Sequence, residues 1–203
     1  LKVTNSIFDK GSLSVGPYAI HLCSSYSNKD VGLIENNEIK NYQYGLYLKN
    51  LYKGIKIYNN HIHNNTAYGI YINAVSHSTY ASSAPLELVG NRLVDNNYGF
   101  YRIDTSSSYG RYVLFKDNLV KSNSNYGVHV NWYAQDWTVE NNTFEGDNDQ
   151  TYGWYSYYRG YRTKLGNNTF TGHTIDDIYI RHCGTGTNAN KFFYNTYSSI
   201  TVT

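Results

Sequence analysis

IYNNHIHNNTAYGIYI, residues 57–72, decides the reading of this chain. It reads as strand, asparagine turn, short strand, polar turn, Tyr-Gly, strand. Something close to it returns along the whole sequence. Aligned on a turn asparagine with an apolar or aromatic residue two positions later, the repeats fall at Asn5, Asn37, Asn60, Asn91, Asn118, Asn142, Asn168 and Asn195. Successive spacings are 32, 23, 31, 27, 24, 26 and 27 residues. Short strands at such a period, with no helical pattern, are the signature of a β-solenoid. A turn this tight favours the left-handed backbone region, which asparagine tolerates. These asparagines are therefore expected to be left-handed turn residues whose side chains bond between coils.

A second anchor is glycine followed by an alternating strand: Gly45-LYLK, Gly69-IYIN, Gly99-FYRI, Gly127-VHVN and Gly153-WYSY, with Ala19-IHLC and Asp177-IYIR as variants. Period-2 alternation sends the residue after glycine inward: Ile20, Leu46, Ile70, Phe100, Val128, Trp154 and Ile178. The next residue points outward, giving the column His21, Tyr47, Tyr71, Tyr101, His129, Tyr155 and Tyr179. Arg102 falls on an inward slot, so a local bulge is expected there.

Composition agrees with a β protein. Of 203 residues, 24 are Tyr, 17 Gly and 2 Pro, and only 16% are charged. A net charge of +2 gives no electrostatic case for nucleic acid. No apolar run is long enough for membrane insertion. The chain starts at Leu1 and has no Met, so a processed or excised piece is expected. Both ends read as repeat, without a helical cap, which suggests residues 1–203 are one segment of a longer β-helix, its C-terminal part. Its remaining coils would then be a partner. Cys23 and Cys183 sit six coils apart, roughly 29 Å at the strand spacing, so two free, buried thiols are expected.

The pattern resembles the right-handed parallel β-helix repeats of pectate-lyase-like proteins, the carbohydrate-binding and sugar-hydrolase type. That resemblance covers the whole chain and implies an all-β, single-stranded solenoid of about eight coils. The Tyr-rich, Asn-rich texture also looks like the disaggregatase-related β-helix domain of Methanosarcina. The narrower resemblance implies an archaeal, extracellular or cell-surface enzyme that cleaves a uronate-containing matrix polysaccharide. A non-catalytic glycan-binding or structural surface module is the alternative.

Insertions at 73–87, 104–113, 131–138, 155–162 and 181–190 are expected to wall the outward column into a groove. Tyr71, Tyr101, Tyr155 and Tyr179 would pave it by stacking on sugar rings, and Arg181 would pair with uronate carboxylates. Asp104, His129 and Asp136 are the acid–base candidates, on neighbouring rungs. For a lyase, His129 or a Tyr would be the base and Arg102 the cation. No cofactor is expected. The acidic turn Glu145, Asp147, Asp149 is a weak candidate for Ca²⁺. His61 and His63 alternate to one face near Glu38 and Arg92, but read as a polar surface rather than a metal site. Asp176 and Asp177 read as turn residues, with a second acid pair as the other option.

Overall fold

The computed structural model describes residues 1–12, 16–23, 32–49, 54–74, 85–104, 111–131, 134–147, 150–157, 160–181 and 189–203. Three parallel sheets wind around one axis. The first runs through Lys2–Thr4, Leu33–Glu35, Lys56–Tyr58, Leu86–Val89, Arg111–Lys116, Ala134–Glu140, Lys164–Gly166 and Lys191–Phe193, with Gly160–Tyr161 beside Ala134–Glu140. The second holds seven three-residue strands, from Ile7–Asp9 to Thr169–Thr171. The third runs from Tyr18–Cys23 through Tyr44–Lys49, Tyr68–Ala74, Tyr98–Asp104, Tyr126–Val130, Tyr152–Ser156 and Asp176–Ile180 to Ile200–Val202. Each strand pairs with its equivalent one coil away, so the chain is a parallel β-helix.

Alternation builds the core. The expected inward residues Ile20, Leu46, Ile70, Phe100, Val128, Trp154 and Ile178 are all buried. Each second-sheet strand from the second coil on contributes one inward residue, such as Ile39, Ile62, Leu93, Val120, Phe144 and Phe170. The filling changes along the axis. Early coils hold Ile and Leu, whereas later ones hold rings: Trp137 meets Trp154 edge-on at 5.6 Å, and Phe144 stacks on Phe170 at 4.3 Å.

The turn asparagines work differently from the expectation. The left-handed residue is the one before: Asn36, Asn59, Asp117, Asn141 and Asn167 have φ near +55°, and Gly90 takes that place in the fourth coil. The next asparagine is buried and stacks in a ladder, Asn37–Asn60–Asn91–Asn118–Asn142–Asn168–Asn195. Each Oδ1 accepts the backbone N–H and the Nδ2–H of the previous coil. In the first coil the equivalent residue is Ser6, not Asn5, since the Ser6 N–H donates to Asn37 Oδ1 at 3.0 Å. Both functional ends of each amide are thereby satisfied where water cannot reach.

A second ladder, not anticipated from the repeat, runs Asn65–Asn96–Asn123–Gln150 between the second and third sheets. His173 takes the next position: its ring lies against the Gly153 site as the earlier amides lie against Gly45, Gly69 and Gly99. Its Nδ1 contacts the carboxylate of Asp177 at 2.5 Å, and both side chains are almost fully buried. Asp177 is therefore not a left-handed turn residue. It lies in a strand, and its carboxylate accepts the N–H groups of Ser198 and Ser199. Burial pulls the His173 pKa down, and the Asp177 carboxylate opposes that shift.

The expected bulge at Arg102 is absent. Pairing continues in register, with Arg102 opposite Ile72 and Val130. The guanidinium is buried inside the solenoid, 5.6 Å from the Trp137 ring, where an aromatic face replaces part of its hydration. Cys23 is exposed rather than buried and forms no disulfide. Cys183 lies outside the described residues.

Candidate functional site

The outer face of the third sheet carries two aromatic columns side by side. One holds the tyrosine before Ala19 and before each rung glycine: Tyr18, Tyr44, Tyr68, Tyr98, Tyr126 and Tyr152. The other is the expected column from His21 to Tyr179. Strand register locks each into line. Rings stack along the axis: Tyr71 lies 5.1 Å from Tyr47 at 6° and 5.4 Å from Tyr101 at 13°. Tyr126 lies 5.4 Å from Tyr152 at 7°, and Tyr155 lies 4.8 Å from Tyr179 at 11°. Between columns the rings meet edge to face, as Tyr44 and Tyr47 do at 88°.

This corrects the expected mode of contact. From Tyr44 to Tyr152, from Tyr47 to Tyr101 and between Tyr155 and Tyr179 the ring faces are turned to one another, so there they are not free platforms for sugar rings. The outward surface is a comb of ring edges and phenol hydroxyls. Among them, the Tyr68, Tyr71 and Tyr155 phenols stay protonated at neutral pH. Burial first, and neighbouring tyrosines second, push Tyr68 and Tyr71 up to about 12 and Tyr155 higher still. They are hydrogen-bond donors, not bases. Asn125 Nδ2 donates to the Tyr98 hydroxyl at 3.0 Å, and Asn131 Nδ2 to that of Tyr101 at 3.3 Å. A third outward column completes the face: Cys23, Lys49, Asn73, Ile103, Asn131, Tyr157 and Arg181. Arg181 sits 5.0 Å from the Tyr157 ring.

His129 interrupts the second column. Its ring is edge-on to Tyr101 and Tyr155, 4.9 Å from each. Neither ring nitrogen has a hydrogen-bond partner among the described residues, and burial pulls the pKa down to about 4. Such an imidazole is neutral at pH 7 and a weak base, unlike the near-neutral pKa that proton abstraction favours. The lowered pKa has a thermodynamic counterpart. Between pH 6.5 and 4 the unfolded chain binds a proton here that the folded chain refuses. Stability is therefore fully present above the unfolded pKa and falls as pH drops through this window, by roughly 3 kcal/mol. His129→Tyr, which continues the column, should remove that acid sensitivity. Urea unfolding of both proteins at pH 7 and pH 4.5 measures it, and equal losses in the two would refute the assignment.

The other acid–base candidates do not join His129. Asp136 lies in the strand Ala134–Glu140 of the first sheet, not in a loop of the groove. Arg162 grips it with a fork: Nε to Oδ1 at 2.6 Å and Nη2 to Oδ2 at 2.7 Å. Arg102 points into the core and cannot reach a ligand on the groove. Asp104 ends the strand Tyr98–Asp104, opposite Ala74, and its side chain lies outside the described residues. Trp137, within the insertion 131–138 expected to wall the groove, is a core residue. The insertion segments 75–84, 105–110 and 182–188, with Trp132, Tyr133, Tyr158 and Arg159, also lie outside the described residues. In the acidic turn, Glu145 is held by Lys121 at 2.7 Å, and Asp149 lies outside the described residues.

Asp136 instead lines a cleft of about 340 Å³ on the first sheet, with Tyr112, Thr138, Arg162, Lys164 and Lys191. Tyr112, Asp136 and Arg162 hold equivalent places in three successive coils, and all have φ above +50°. Left-handed backbone at non-glycine residues is a strained state that clusters at functional sites.

On the second sheet, His61 and His63 do come together with Glu38. The two imidazoles stack at 4.1 Å, and His63 Nε2 lies 3.1 Å from Glu38 Oε1.

Fold and face together define a parallel β-helix protein with an aromatic, hydroxyl-bearing sheet face. Residues 1–170 match the family described as the right-handed β-helix region, and the chain belongs to that family. No curated protein and no solved structure matches it.

Proposed function

We propose that the chain binds a polysaccharide along the outer face of the third sheet, at the cell surface or outside the cell. The observation that carries this reading is the pair of in-register aromatic columns, which present phenol hydroxyls at every coil from Tyr18 to Tyr179. A repeating row of donors suits a repeating polymer, and ring edges suit its C–H surface. The proposed glycan is acidic. Among the described residues of this face the cations Lys49 and Arg181 stand against one carboxylate, Asp176, which replaces a tyrosine at the seventh row.

The test separates hydroxyl contact from ring stacking. Tyr71→Phe with Tyr101→Phe keeps both rings in the column and removes two hydroxyls. Affinity for a uronate-containing polysaccharide should fall about tenfold or more, at about 1 kcal/mol per lost bond. Affinity electrophoresis on uronate-containing and neutral glycans reads this directly. Unchanged binding in the double variant would leave the columns with a stacking role only.

Cleavage of the same class of glycan is a second reading, favoured by the cationic cleft around Asp136. Lys164 and Lys191 suit a uronate carboxylate, and neutralising that group is the first need of a lyase. Among the described lining residues Asp136 is the only acid, so the two-carboxylate arrangement of glycoside hydrolysis is not formed there. An unsaturated uronate product, lost in Lys164→Ala and Lys191→Ala, would establish it; intact polymer after incubation would reject it.

A further inference from the structure

We propose that Glu38, His61 and His63 form a binding site for a divalent first-row transition ion, with zinc the natural occupant. The three side chains project from adjacent strands of the second sheet. Glu38 is in register with His61, and His63 follows two positions on, so alternation returns both imidazoles to the face that Glu38 shares. One ligand atom from each lies within 4.8 Å of the others. A tetrahedral ion holds N and O ligands at roughly 2.0–2.2 Å, which puts ligand atoms roughly 3.3 Å apart. Glu38 Oε1 and His63 Nε2 already stand 3.1 Å apart, so a small rotation of His61 completes the set. Two nitrogens and one oxygen leave an open position for water, as in sites that hold zinc with three protein ligands.

The chemistry of the donors fits. All three side chains are half-buried on short, paired strands rather than on a loop, which limits the ordering required on binding. The face elsewhere is ordinary: the equivalent pairs are Ile7 and Asp9, Arg92 and Val94, Leu119 and Lys121. Two neighbours oppose a cation. Arg92 stands in register beside His61, and Lys40 donates to Glu38 Oε1 at 2.8 Å. Lys40 has a second partner ready, since its Nζ is also 3.7 Å from Asp9 Oδ2. An arriving ion would take Glu38, and Lys40 would turn to Asp9. Lys40 is thus a competitor for the site, and removing it should strengthen binding.

Metal-free protein titrated with Co²⁺ and then Zn²⁺ tests this. The expected result is one equivalent of Co²⁺ with visible d–d absorption that Zn²⁺ displaces. His61→Ala with His63→Ala should weaken binding by at least about tenfold, the least that disturbing a metal's ligand environment costs. His21→Ala, a distant and exposed histidine, should leave it unchanged. Lys40→Ala should bind more tightly, an outcome that misfolding cannot mimic. Binding that survives the double histidine variant, absence of a bound equivalent, or no gain in Lys40→Ala would each overturn the proposal. Retained polysaccharide affinity in the histidine variants would show that this site is separate from the third-sheet face.

Discussion

Asn118→Ala is expected to destabilise the folded chain by about 4 kcal/mol, more than most single substitutions. Its side chain makes four hydrogen bonds in a place closed to water. Oδ1 accepts Asn91 N–H at 2.9 Å and Asn91 Nδ2–H at 3.1 Å. Nδ2 donates to Leu88 O at 2.9 Å and to Asn142 Oδ1 at 3.0 Å. Alanine strands a backbone donor on one side and a backbone carbonyl on the other. A buried polar group without a partner costs about 1–3 kcal/mol, and a small void adds to that. Asn141→Gly is the matched control. Asn141 is exposed at φ 57°, where the fourth coil itself uses Gly90, so the change should fall within about 1 kcal/mol. Guanidinium unfolding midpoints compare the two. Similar losses at both positions would contradict the ladder account.

Gly99→Ala should cost roughly 3 kcal/mol or more, again by a shift in unfolding midpoint. The reason is space, not backbone freedom. A Cβ at Gly99 would lie 2.6 Å from the carbonyl oxygen of Gly127 and 2.9 Å from Asn123 Nδ2. Neither neighbour is a flexible tip. One is backbone of the next coil and the other a rung of the second ladder, so relief requires parting the coils. Gly16→Ala, with open space around the added carbon, should be close to neutral. If Gly99→Ala proved as mild as Gly16→Ala, the close packing of coils at the glycine column would be refuted.

These two sites also mark how far the sequence could be followed. Inward residues such as Ile70 and Val128 are legible because strand alternation has a period of two and the glycine fixes its phase. The first ladder is legible as a recurring asparagine, yet its left-handed residue is one place earlier. An Asn-Asn pair hides which member turns and which is buried. The second ladder also has a signal in the sequence: Asn65, Asn96 and Asn123 each follow a first-ladder asparagine by five residues. Asp136 lies away from the groove for a topological reason. The link after Val130 is only three residues, 131–133, so Ala134 already begins the next coil and Asp136 lies round a corner from His129. Arg102 falls on an inward slot and stays there, without the bulge expected to accommodate it. What the sequence hid was Trp137, which arrives from another sheet to receive the guanidinium.

Strand order carries one more consequence. Each sheet pairs every strand only with its equivalent in the coil before and the coil after. Nothing in the described chain ties distant coils together, so the molecule has length but no centre. Excising one whole coil, cut at equivalent ladder asparagines, would leave both ladders able to close on the next rung. The aromatic face would lose a single row, about 4.8 Å. A protein built this way is a ruler whose graduations are coils, and it can be lengthened or shortened without redesigning a single mark.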